Sequence, residues 1–153
     1  MEFLASHHSQ VVHFPIALFI SYFFFELFGI VLKKDYLHTA AYIILIGGVI
    51  TSLAAVLTGN QAQAAANALL TKQNDFYKSV IDHHQQTATI TVWYFFAILV
   101  LRTYLMVKKK FTGSIKYISI VLGLIGCYLV FSTGNLGGEL VFKHGIGTQL
   151  FGK

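Results

Sequence analysis

His8-Ser9-Gln10-Val11-Val12-His13-Phe14-Pro15-Ile16-Ala17-Leu18 opens an apolar run that continues to Leu32 with Glu26 as its one charge. About 20 residues of this kind are what an α-helix needs to cross the hydrocarbon of a bilayer. Three further runs follow at 37–57, 88–107 and 117–136, after a first span bounded at 11–32. These spacings predict an all-α chain, a single integral-membrane four-helix bundle over residues 1–153. Short basic connections, Lys33-Lys34-Asp35 and 108–116, join the first and last pairs of spans. The middle connection, Asn60 to Asp82, reads as helical extensions of the second and third spans around a turn near Lys72–Asp75, or alternatively as a lid over the bundle.

Composition points the same way. Of the 153 residues 56% are hydrophobic and 11% charged, and the mean hydropathy is positive, which is the profile of a small membrane domain. The net charge of +5 does not indicate a nucleic-acid partner, because the basic residues sit at the ends of apolar runs. A single mid-run cysteine, Cys127, excludes a disulfide framework and a thiolate metal cluster. The N-terminus carries Glu2 and no basic leader, so the first helix is expected to remain as an anchor.

Basic residues also orient the spans. Lys33, Lys34, Lys108, Lys109, Lys110 and Lys116, with Arg102 just inside, face one side against Asp35 alone. Lys72, Lys78, Lys143 and Lys153 face the other, balanced by Glu2, Asp75, Asp82 and Glu139. The first side is expected to be cytoplasmic, which puts both termini on the outer, periplasmic side.

Six of the seven histidines then fall on that outer face: His7, His8 and His13 at the first span, His83 and His84 before the third, and His144 after the fourth. His38 falls on the cytoplasmic side, where a solvated or headgroup histidine is the simplest reading. Helical spacing groups His13 with Ala17 and Ser21, His84 with Ala88, Thr91 and Phe95, and Gly48 with Ser52, Ala55 and Gly59, while Gly134 and Gly138 form a small-residue pair. Small residues serve close helix packing. They also leave room for a flat macrocycle, whose iron takes axial imidazoles from facing helices between apolar walls.

Adjacent helical residues diverge by about 100°, so His83 and His84 cannot both point inward, and the small-residue stripe favours His84. The leading expectation is therefore a b-type haem electron-transfer protein with His13 and His84 as axial ligands. His8 and His144 form a second pair or support, and His83 is a further candidate. Imidazole suits zinc and copper as well, so a bare-metal site on His13, His84, His8 and His144 is a rival, although the scarcity of cysteine and methionine disfavours Cu(I). A cofactor-free structural subunit is the third reading. Glu26 and Arg102 lie inside spans about two turns from the same boundary, and charge in hydrocarbon calls for a partner; a structural ion pair is expected between them. Phosphate-loop, His-Glu-x-x-His and Gly-x-Ser-x-Gly patterns are all missing, so an electron carrier or redox subunit is expected rather than a stand-alone enzyme.

Three motifs carry a resemblance: His8-x-x-x-x-His13-Phe-Pro-Ile-Ala-Leu, a histidine entering the third span, and Gly137-Gly-Glu-Leu-Val-Phe-Lys-His144-Gly. Over nearly its whole length the chain resembles the bacterial membrane family called domain of unknown function 2231. It departs at Ser9, where the family usually carries proline. The resemblance implies a multi-pass protein of the bacterial inner membrane, working beside haem-bearing or iron–sulfur redox modules. More distantly the chain is similar to four-helix membrane cytochromes that hold b-type haem between histidines. The lipid bilayer, a periplasmic or membrane redox partner and further copies of the chain are the partners this leaves open; nucleic acid is not among them.

Overall fold

Pro15 sets the geometry of the first helix. Lacking an N–H and clashing with the carbonyl four residues back, proline is accommodated only in the first turn of a helix. The computed structural model, which describes residues 5–69 and 75–146, accordingly divides the first run at Val12. A short α1 (His8–Val11) precedes α2 (His13–Val31), in which Pro15 is buried. Three long helices follow: α3 (Asp35–Leu69), α4 (Asp75–Val107) and α5 (Ser114–Phe142). Among the described residues there is no strand.

The helix ends on the lysine-rich side use one device twice. Lys33 and Lys109 both adopt left-handed backbone, with φ of 52° at each. The amides of Lys34 and Lys110 then reach back five residues to the carbonyls of Gly29 and Leu105, at 3.0 and 2.8 Å. These Schellman-type closures satisfy carbonyls that a helix end would otherwise leave bare.

All four long helices are long and apolar enough to cross a membrane. What they expose confirms which solvent they are built for. Phe24, Phe28, Ile43, Ile50, Trp93, Phe96, Val100, Tyr128 and Phe131 all face outward, while Glu26 and Arg102 are buried. A water-soluble bundle distributes these residue types the other way round.

α2 packs on α3 and α5, and α4 packs on the same two, so α2 and α4 oppose each other across the centre. Their inward faces follow 3–4 spacing: Pro15, Phe19, Tyr22, Glu26 and Gly29 on α2, and Ile81, Thr91, Phe95, Ile98 and Arg102 on α4. At mid-depth the rings of Phe19 and Phe95 stack in parallel, 3.7 Å between centroids. The flanking helices make room for them. A Cβ placed at Gly48 of α3 would stand 2.6 Å from Phe19 Cε1, and one at Gly126 of α5 would stand 2.5 Å from Phe95 Cζ.

Of the glycines expected to pack helices or to leave a slot for a macrocycle, Gly48 holds a phenylalanine ring, as does Gly126, which helical spacing had not singled out. A Cβ at Gly134 would meet nothing within 4 Å among the described residues.

With 35 and 33 residues, α3 and α4 run about 52 and 50 Å, well beyond the roughly 30 Å of hydrocarbon. Their extensions carry 60–69 and 75–82 of the middle connection as helix and contribute to a second small core, in which Ala66, Ile81, Leu140 and Ile146 cluster with Tyr77 and Val80. Gln63 Nε2 donates to Asp82 Oδ1 across it at 3.2 Å. The turn expected near Lys72–Asp75 falls on 70–74, which lie outside the described residues, as do Glu2, Gly147 and Lys153.

Candidate functional site

Two polar clusters interrupt the apolar interior, one at each end. At the histidine end, α1 carries His8 and α4 carries His84, both half-buried. Each ring rests on a glycine. A Cβ at Gly59 would stand 3.0 Å from His8 Cε1, and one at Gly137 would stand 3.1 Å from His84 Cε1.

His8 Nδ1 lies 3.0 Å from Thr58 Oγ1. The Thr58 hydroxyl also lies within reach of its own helix's carbonyls at Ala54 and Ala55, 3.1 and 3.0 Å away. With the Thr58 proton turned to those carbonyls, its oxygen accepts from His8 Nδ1–H and the lone pair of neutral His8 is on Nε2. His84 Nδ1 is buried and has no hydrogen-bond partner among the described residues. About two turns deeper, Thr91 and Thr133 hydroxyls pair at 2.9 Å.

The other expected ligands are placed differently. His13 is exposed on the outward face of α2, in line with exposed Ala17, so the structure does not bring it to His84. His83 is exposed, beside Lys78, Ser79 and Asp82 in a shallow groove on α4. His144 lies edge-on to the rings of Phe76 and Tyr77, with centroids 5.5 and 5.6 Å away. Among the described residues no three histidine, cysteine or carboxylate side chains are grouped as a metal would need.

At the lysine-rich end, Glu26 is wholly buried and both its oxygens are engaged. Arg102 Nη2 donates to Oε1 and His38 Nδ1 donates to Oε2, each at 2.6 Å. Arg102 Nη2 also reaches the His38 carbonyl at 3.1 Å, tying α4 to α3. The Phe111 ring covers the guanidinium, its centroid 3.4 Å from Cζ.

His38, read from sequence as solvated, is 5% exposed. Its neighbours Lys33, Lys34 and Asp35 mark a boundary, but its spacing to Ala41 and Leu45 puts it on the buried stripe of α3. Gly29 is what admits it, since a Cβ there would stand 2.6 Å from His38 Cε1.

A family model described as "Predicted membrane protein (DUF2231)" matches residues 5–150. No curated protein and no solved structure matches the chain.

Proposed function

The chain belongs to the DUF2231 family of predicted membrane proteins, and we propose that it is a membrane redox protein holding b-type haem between His8 and His84. The observation that carries this reading is the pair of half-buried imidazoles at one end of the bundle, one held at Nδ1 by Thr58 and one with a buried nitrogen left unpaired.

Donor count favours haem over a bare ion. A macrocycle brings four equatorial nitrogens and asks the protein only for axial ligands. Zinc in a structural or catalytic site asks for three or four protein donors, and His8 and His84 have no third donor beside them among the described residues. The Phe19–Phe95 stack fills the bundle at mid-depth, so the histidine end is where a flat cofactor finds its ligands. Thr58 plays the role of the outer hydrogen bond that orients a ligating imidazole. The haem would supply one-electron exchange. The lysine bias supports placing this end on the periplasmic face of a bacterial plasma membrane, where an exported redox partner would reach it.

The test is the visible spectrum of the detergent-purified protein, oxidised and dithionite-reduced, with elemental analysis. A Soret band with sharp reduced α and β bands is expected. It should be lost in His8→Ala and in His84→Ala, and kept in His13→Ala. A featureless spectrum from cells replete in haem would sink the proposal.

A further inference from the structure

The lysine-rich end holds a second site, which the haem reading does not use. A cleft opens there between the start of α3, the end of α4 and the loop that leads into α5. Asp35, His38, Arg102, Lys109, Phe111 and Lys116 line it.

Two of these side chains are buried and still have hydrogen-bonding capacity to spare. Arg102, 2% exposed, places Nη2 on its partners, while Nε and Nη1 make no well-formed hydrogen bond among the described residues, with the buried Tyr22 hydroxyl close by. His38 commits Nδ1 to Glu26 and leaves Nε2 buried and unpaired. Unmet donors in such a place are costly, and ligands or water normally satisfy them.

The charge around the cleft is unbalanced. Glu26 turns both oxygens to Arg102 and His38, and Asp35 is taken by Lys116 at 2.6 Å. Lys109 has no carboxylate partner among the described residues, so one positive charge remains at the rim. Arginine presents its donors in a planar fork that matches the oxygens of a phosphate. His38 Nε2 adds a group that accepts from a protonated oxygen, or donates to a bare one once the ring is protonated.

The depth of the cleft suits a membrane lipid. Tyr36, Tyr104 and Tyr117 are exposed around the same end, and tyrosine concentrates at the level of the headgroups. Basic pockets between membrane helices are where anionic headgroups lodge.

We propose that this cleft binds a phosphate oxyanion, carried by an anionic phospholipid headgroup, with Arg102 and His38 at its floor and Lys109 and Lys116 at its rim. Phe111 holds the guanidinium flat so that its free edge, and not its face, meets the phosphate.

Delipidated protein in a neutral detergent tests this. Its thermal midpoint and its bound lipid, read by native mass spectrometry, are followed on adding phosphatidylglycerol, phosphatidylcholine or inorganic phosphate. Phosphatidylglycerol should raise the midpoint by several degrees and stay bound at about one per chain, and both effects should be lost in Lys109→Gln/Lys116→Gln. Arg102→Lys, which keeps a cation for Glu26 but removes the fork, should lose them too; if it does not fold, the double lysine variant decides alone. An equal rise with inorganic phosphate keeps the site and assigns its oxyanion to a soluble source. Equal responses to phosphatidylcholine and phosphatidylglycerol, or a phosphatidylglycerol response that survives Lys109→Gln/Lys116→Gln, overturn the proposal. So does no response at all, which leaves the cleft to water.

Discussion

Each end of the bundle turns a histidine inward on a glycine, and the two ends do different things with it. At the lysine-rich end, His38 gives its Nδ1 proton to a carboxylate that also holds Arg102, and all three side chains are buried, His38 and Arg102 at the floor of the cleft. At the histidine end, His8 shares its Nδ1 hydrogen bond with a neutral hydroxyl, and His84 leaves Nδ1 unpaired. The difference lies in the partner. A carboxylate in a low-dielectric interior must be compensated, so it binds its neighbours into a structural unit. A hydroxyl makes no such demand and leaves its ring uncharged. His38 is thus fixed by a charge network before any ligand arrives, whereas His8 and His84 are candidate ligands for a metal centre.

Removing the carboxylate breaks this contrast most severely. Glu26→Ala leaves Arg102 buried without its counter-charge and should cost about 3–5 kcal/mol, seen as loss of folded protein or a sharply lower unfolding midpoint in detergent. Replacing both charges with apolar residues of similar volume, Glu26→Leu/Arg102→Met, should recover most of that loss. If it does not, the cluster is more than a compensated pair.

Gly126→Ala probes the wall between the ends. With Phe95 Cζ 2.5 Å from the added methyl carbon, the stack must shift, at about 1–3 kcal/mol in the same unfolding assay. An unchanged midpoint would mean that the rings yield freely.

Thr58→Val touches only the histidine end and should alter stability by about 1 kcal/mol. It should weaken retention of the cofactor by about 10–100-fold, read as haem occupancy after dialysis. A variant that keeps full occupancy would show that the hydroxyl does not orient His8. This substitution sharpens the comparison, because it separates a small structural effect from a large effect on binding.

The helical bundle is legible in the sequence because lipid imposes so little choice on backbone. Apolar length gives the spans, and short basic connections give their antiparallel order. Glu26 and Arg102 are drawn together by their depths alone. The histidines were harder to sort. His83 and His84 separate by the divergence of neighbouring helical residues, and a similar argument applies to His8 and His13. Five residues turn a helix through about 140°, so only one of the two can face the bundle. Reading the stripe backward from Glu26, whose charge demands an inward position, gives Tyr22, Phe19, Pro15 and then His8, with His13 off the line. On α3, the same backward reading from Leu45 through Ala41 reaches His38, which its lysine neighbours had made look like a surface residue. Which notch each ring would take was not legible, since a glycine receives a side chain from another helix and local spacing says nothing of which one arrives.

The stacked rings of Phe19 and Phe95 have an electrical consequence. Among the described residues no chain of hydrogen-bonding groups crosses the layer they form. These residues therefore offer no hydrogen-bonded relay for a proton between the two polar clusters. A bare charge is costly in an apolar layer of this kind, so the paired rings insulate one cluster from the other.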